Sequence, residues 1–267
     1  MKNGFLSVDL LKEWLPRLHF FLLPGLLLIC ILLFMEGNRR RGRFLLFSFS
    51  AALSLNPILK NIFKVSPPWL YHVEDAPLLA EGGYAFPCLY SLSAASVLFS
   101  AGLSSGRRSI RFICAAGICS IGFVRAACGA QSVVDVLAGV VLGAVSAVLL
   151  YRFWYMGNRR QARLSEAVVL LSALVCSIVF KNGRGLGLWL GTMALEGLEK
   201  VFLKADKNRS GFGIIYGSLF GAGIFTGLYI FLPFLIEWFV TPLWPGQALI
   251  VFLITIIPCL LKVFPLF

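Results

Sequence analysis

The sequence predicts an all-α protein, a polytopic membrane bundle of about nine transmembrane helices. Two observations carry that expectation. The chain has 267 residues, of which 59% are hydrophobic and only 13% charged, and its mean hydropathy of +0.87 means more apolar surface than one water-soluble core can bury. The apolar residues also come in solid runs, where a membrane barrel would alternate apolar with polar. A run of about 20 such residues crosses a bilayer as a helix, since only internal hydrogen bonding satisfies the backbone in hydrocarbon.

In chain order the runs lie near 15–35, 43–63, 87–104, 109–126, 132–152, 165–181, 184–203, 212–235 and 246–264. Those at 109–126, 165–181 and 184–203 are short or rich in glycine. Ahead of them, Phe5, Leu6, Leu10, Leu11, Trp14 and Leu15 fall on one side of an amphipathic interfacial helix. Asp9 and Glu13 in that stretch argue against a cleavable signal peptide.

The formal net charge is +12, but the cations are not arrayed on a polar face with interleaved aromatics, so no nucleic-acid partner is expected. They mark alternate loops: Arg39, Arg40, Arg41 and Arg43; Arg107, Arg108 and Arg111; Arg152, Arg159, Arg160 and Arg163; Lys200, Lys204, Lys207 and Arg209. The positive-inside rule puts these loops in the cytoplasm, the N-terminus outside and the C-terminus inside. The loop of about residues 64–86, with Glu74, Asp75 and Glu81, then faces outward.

Seven cysteines lie mostly inside apolar runs, and none has metal-ligand spacing. No metal and no cofactor are expected. Cys88 and Cys128 are near the outer surface, where a disulfide is permitted, although packing alone accounts for both.

Ionisable residues near or within membrane spans are costly and usually have a reason. Three places stand out, all at the outer ends of their spans. Lys60 sits about one turn inside the end of the second run, in "LNPILKNIFKVSPPW"; alone it reads as a lysine snorkelling to the interface. "GGYAFPCLYSLSAAS", from Gly82 to Ser96, is a turn into a helix of small residues, whose first backbone N–H groups attract anions. In "VRAACGAQSVVDVLAG", Arg125 and Asp135 bracket a short outward loop containing Gln131; alone they read as a pair closing a helix corner.

Together the three segments resemble the motif order of the type 2 phosphatidic acid phosphatase superfamily, which includes lipid phosphatases and vanadium haloperoxidases. Its motifs are Lys-x6-Arg-Pro, Pro-Ser-Gly-His and Ser-Arg-x5-His-x3-Asp. This chain has Lys60, six residues, then Pro67-Pro68; Pro87-Cys88-Leu89-Tyr90 after "GGYAF"; and Val124-Arg125, five residues, Gln131, three residues, Asp135, then "VLAG". The resemblance covers about residues 50–145. The tail resembles the extension of a long bacterial branch, which implies two parts, a phosphatase-like membrane core over 1–155 and a transmembrane extension over 156–267.

In that family the third motif's histidine attacks phosphorus and the aspartate orients it. The second motif's histidine protonates the leaving oxygen, and lysine, arginines and backbone amides hold the phosphate. Here Gln131 stands in the nucleophile's place, and a carboxamide nitrogen, its lone pair delocalised, cannot form a phosphoenzyme. Tyr90 stands in the acid's place; with a reference pKa of about 10 it is a poor donor. Pro67 replaces an arginine and brings neither charge nor N–H. Cys88 and Leu89 replace small residues that let phosphate approach. His19 and His72 are the only histidines, neither in a motif position; Cys88 lacks the loop of a cysteine phosphatase, and Asp135 is a remote substitute nucleophile.

Lys60 and Arg125 remain to hold an anion, each charged hydrogen bond giving about 1.5–3 kcal/mol. Asp135, with no histidine to orient, either supports that site or pairs with Arg125 or Lys60 and cancels its charge; the residues leave both open. The resemblance therefore implies a catalytically inactive phosphatase-like protein of the cytoplasmic membrane, binding a phospholipid or polyprenyl phosphate on its outer side or scaffolding a protein partner. Two alternatives stand beside it. One is an active lipid phosphatase with rearranged catalysis. The other is a transporter or flippase, suggested by the glycine-rich "GVVLGAVS" and "GSLFGAGIFTG", for which close helix packing is the plainer explanation.

Overall fold

The computed structural model describes residues 39–70, 83–127, 129, 131–190 and 192–193, with a few positions between 22 and 30. Among them there are helices and no strand. The helices are α1 (Arg39–Phe63), α2 (Leu89–Ser105), α3 (Arg108–Ala127), α4 (Val133–Tyr151) and α5 (Arg159–Val179), with a 3-10 turn at Pro68–Leu70 and a π-helical turn at Arg152–Met156 that ends α4. Residues 184–190 are also helical. Four helices are long and apolar enough to cross a membrane, at Arg40–Phe63, Arg108–Ala127, Val133–Met156 and Arg159–Val179, while Leu89–Ser105 is apolar but shorter. The expected count of about nine is therefore not reached among the described residues. The runs at 212–235 and 246–264 and the interfacial helix lie outside them, and those at 15–35 and 184–203 are described only in part.

The chain divides into two compact units. One takes in Leu55–Asn158, the other Leu27–Ser54 and the chain from Arg159 onward. Helix α1 passes from the second to the first at Ser54, three residues before its internal Pro57.

In the unit of Leu55–Asn158, α2, α3 and α4 pack side by side. Helix α2 ends at Gly106, whose φ of +67° is left-handed and suits a residue without Cβ; two residues later α3 begins. The turn sends α3 back along α2: a Cβ at Gly102 would lie 3.4 Å from Arg111 Cγ, and one at Gly117 would lie 3.0 Å from Leu98 Cδ1. Helix α4 runs parallel to α2. A Cβ at Gly139 would come within 2.8 Å of Cys88 O, one at Gly143 would collide with Leu92 O, and Ser146 Oγ meets Ser96 Oγ at 3.3 Å. Small residues four apart let two helix backbones approach where lipid supplies no hydrophobic drive. These glycines belong to "GVVLGAVS", so their role here is packing. The start of α2, the end of α3 and the start of α4 thus share one end of the unit. Val134, Leu137, Val141, Val145 and Val148 form an exposed apolar stripe along α4.

In the other unit, the first part of α1 joins α5 and the helix of residues 184–190 through two side-chain bonds to backbone carbonyls and one ion pair. Ser50 Oγ donates to Gly185 O at 2.8 Å, Cys176 Sγ to Ser54 O at 2.6 Å, and Arg43 Nη2 pairs with Glu166 Oε1 at 2.7 Å.

Candidate functional site

The second motif segment is fixed on both sides before α2 begins. Gly83 turns the chain at φ +92°, a left-handed value that disfavours any side chain. Ala85 N–H then donates to Val65 O at 2.8 Å, just beyond the end of α1. Phe63 and Phe86 meet edge to face with centroids 4.9 Å apart, and Asn56 Nδ2, buried in α1, donates to Pro87 O at 3.0 Å. The Phe86–Pro87 peptide bond is cis. Cys88 N–H donates to Asp135 O at 3.1 Å and ties the start of α2 to the first turn of α4. These links draw segments of all three motifs, otherwise distant in sequence, to one end of the unit.

Arg125 lies in the last turn of α3 and is wholly buried. A buried guanidinium must be compensated. Part of the compensation is Tyr90, whose ring faces Arg125 Cζ at 4.3 Å from its centroid, a cation–π contact that strengthens as it is desolvated. Part is the end of α3, where the helix dipole favours a cation. Tyr90, in the acid's motif position, is half-buried and covers one face of the cation.

Asp135 is buried, and its side chain is engaged locally. Ser132 N–H donates to Asp135 Oδ2 at 3.0 Å, and Asp135 N–H donates to Ser132 Oγ at 3.2 Å, a reciprocal capping box at the start of α4. Among the described residues this carboxylate forms no ion pair, so the alternative in which it neutralises Arg125 or Lys60 is not adopted. Gln131, next to that cap, is 5% exposed, and its Oε1 has no hydrogen-bond partner. Lys60 is in the last turn of α1, half-buried, at the end tied to the second segment. Pro67 is buried at the start of the 3-10 turn, where its carbonyl accepts from Leu70 N–H at 3.1 Å. Cys88 is a buried free thiol. Cys128, His19 and His72 lie outside the described residues. Among those described, no cluster of three His, Cys, Asp or Glu side chains is placed to hold a metal ion.

Asn56 and Ser132 of this corner escape the motif reading. Asn56 is a buried polar residue one turn before Lys60, and its burial in an apolar run is the signal that marks it. Ser132 and Asp135 carry the Ser-x-x-Asp spacing of a helix start, legible without any motif.

Apolar helices long enough to span a bilayer, with a cation buried where three motif segments meet, define a membrane protein with a lipid-phosphatase-like core. The model of the PAP2 superfamily matches residues 41–159, the stretch that holds the three motif segments. No curated protein and no solved structure matches the chain.

Proposed function

We propose that the chain binds the phosphate of a membrane lipid at Lys60 and Arg125, on the outer side of the cytoplasmic membrane, and does not hydrolyse it. One observation carries this reading: Gln131 is buried and, by the motif spacing from Arg125 to Asp135, stands at the nucleophile's position, where its carboxamide cannot attack phosphorus. Tyr90 is turned to Arg125 and stabilises the cation that would meet the anion. The family supports a lipid phosphate as the ligand class. The basic clusters at the starts of α1, α3 and α5, opposite along their helices to the motif-bearing ends of α1 and α3, support the outward orientation, with the N-terminus outside and the C-terminus in the cytoplasm. A protein partner held in the same membrane is compatible with such a binding role.

The test is phosphate release from short-chain phosphatidic acid and from a polyprenyl diphosphate by the purified full-length protein, run beside equilibrium binding of the same lipids. The expected outcome is saturable binding, with release no greater than that of Arg125→Ala. Gln131→His, Tyr90→His and Pro67→Arg combined restore measurable release. Wild-type turnover that disappears in Arg125→Ala overturns the reading in favour of an active phosphatase.

A further inference from the structure

The starts of α1 and α5 bring cations together that the motif segments do not use. Arg43 Nη2 on α1 pairs with Glu166 Oε1 on α5, 123 residues on, and Cys176 Sγ donates to Ser54 O across a separation of 122 residues. A nearly constant separation at two points along both helices makes them parallel neighbours in register. Arg163 is 123 residues from Arg40 and therefore stands level with it; both are exposed. Arg40 shares a face of α1 with Arg43, and Arg159 and Arg163 share a face of α5 with Glu166, since residues three and four apart align on a helix. Four arginines thus flank one carboxylate. The helix starts add to the charge, because neither first turn holds an acidic residue and in parallel helices the positive ends of the dipoles lie side by side. The corner between α2 and α3 is the contrast. There a helix end meets a helix start, the dipoles oppose, and Gly106 O receives Arg111 Nη2 at 3.2 Å. At α1 and α5 the offset comes from Glu166, against four cations.

Beyond this cluster α5 is apolar and open. Leu164, Val168, Leu171 and Val175 are exposed and recur on one face, beginning beside Arg163. Both helices belong to spans long enough to cross a membrane, so their starts lie at the depth of lipid headgroups. We propose that an anionic phospholipid binds here, its phosphate between Arg40 and Arg163 above the Arg43–Glu166 pair, with an acyl chain along the apolar strip of α5. The strip is what selects a lipid over a soluble anion, since only the lipid has hydrocarbon to lay on it. This site is at the other end of α1 from Lys60 and takes in no motif residue. Under the orientation proposed above it faces the cytoplasmic leaflet.

The full-length protein in detergent is freed of lipid and offered equal amounts of phosphatidylglycerol and phosphatidylcholine with the same acyl chains, and the retained lipids are counted by native mass spectrometry. Each basic residue near a membrane surface strengthens its attraction for anionic lipid about fivefold, so the wild type is expected to retain phosphatidylglycerol over phosphatidylcholine by about tenfold or more. Arg40→Gln combined with Arg163→Gln brings that ratio to within about twofold of unity. Arg107→Gln combined with Arg108→Gln removes the same charge from the other corner and shifts the ratio by about twofold at most. All four arginines are exposed, so unchanged thermal unfolding shows that both double variants are folded. Arg125→Met keeps the preference, which separates this site from the one at Lys60 and Arg125. Equal loss in the two double variants would mean that the lipid answers net charge, and the site would be overturned. Loss of the preference in Arg125→Met overturns it as well, by assigning the retained lipid to the motif segments. Displacement of the lipid by millimolar inorganic phosphate would make the cluster a site for a soluble anion and overturn the lipid. An even ratio in the wild type overturns the proposal outright and leaves the reading at Lys60 and Arg125 to its own test.

Discussion

Arg111 and Arg125 stand at opposite ends of the same helix, and they live under opposite physics. Arg111 is exposed near the start of α3, its Nη2 donating to Gly106 O at 3.2 Å. The dipole there disfavours a cation, so the helix itself gains nothing from it. Like Arg107, Arg108 and Arg152, all exposed, it keeps its hydration. Arg125 is wholly buried, at the end where the dipole favours it, beneath an aromatic ring. Moving a charge out of water costs several kcal/mol even after relaxation. The comparison separates two environments of one side chain: Arg111 keeps its water, and Arg125 gives it up for a ring and a helix end.

The largest expected effect tests that separation directly. Arg125→Met removes the site's buried cation and lowers lipid-phosphate affinity by about tenfold or more, the loss of one charged hydrogen bond of about 1.5–3 kcal/mol. Arg111→Met changes it by about twofold at most, since exposed charges act weakly and are screened. Thermal unfolding sharpens the contrast: Arg125→Met gives up the contact with the Tyr90 ring and is expected to lose about 0.5–2 kcal/mol of stability, whereas Arg111→Met leaves stability nearly unchanged. Equal binding losses in the two variants would show that affinity comes from the general basic surface and would remove the distinction.

Next in size is the ring that covers the cation. Tyr90→Phe retains the π face and is expected to unfold within a few tenths of a kcal/mol of wild type. Tyr90→Ala loses the contact and is expected to be less stable by about 0.5–2 kcal/mol, the range for exposed to desolvated cation–π pairs. Equal loss in Phe and Ala would assign the stabilisation to the hydroxyl, and the ring would not be what offsets the burial of Arg125.

Much of this corner is legible in the sequence because spacing along helices is physical. Lys60 and Arg125 fall in the last turns of α1 and α3 and Asp135 in the first turn of α4, where the helix dipole favours each charge, and the runs at 43–63, 87–104, 109–126 and 132–152 correspond to α1 to α4 within a few residues. What is not legible is direction. Nothing in the one-dimensional string says that Tyr90 turns toward α3 and Ser91 toward α4, because adjacent helical residues diverge by about 100° and the neighbouring helices decide what each meets. The role of Asp135 was open for a similar reason. A carboxylate in a first helical turn has both a nearby cation and its own helix start to choose from, and charge counting alone favours the cation. The chain offered Ser132 at the cap position, so the local backbone took it.

That choice has a measurable consequence, the smallest effect expected here. If Asp135 were paired with Arg125, Asp135→Asn would strand a buried guanidinium and cost about 3–5 kcal/mol. In the capping box, asparagine still offers a side-chain oxygen to Ser132 N–H, and the Ser132 hydroxyl still receives Asp135 N–H. What remains lost is the favourable meeting of a negative charge with the start of α4, about 0.3–1 kcal/mol. Asp135→Asn is thus expected to lower stability by under about 1 kcal/mol. Removing a negative charge from the end of the unit that holds Arg125 also tips lipid-phosphate affinity slightly upward. Thermal unfolding and lipid binding of this one variant discriminate the two arrangements. A loss of several kcal/mol would mean that the carboxylate serves the cation, while a small loss with unweakened binding would mean that it serves the cap of α4.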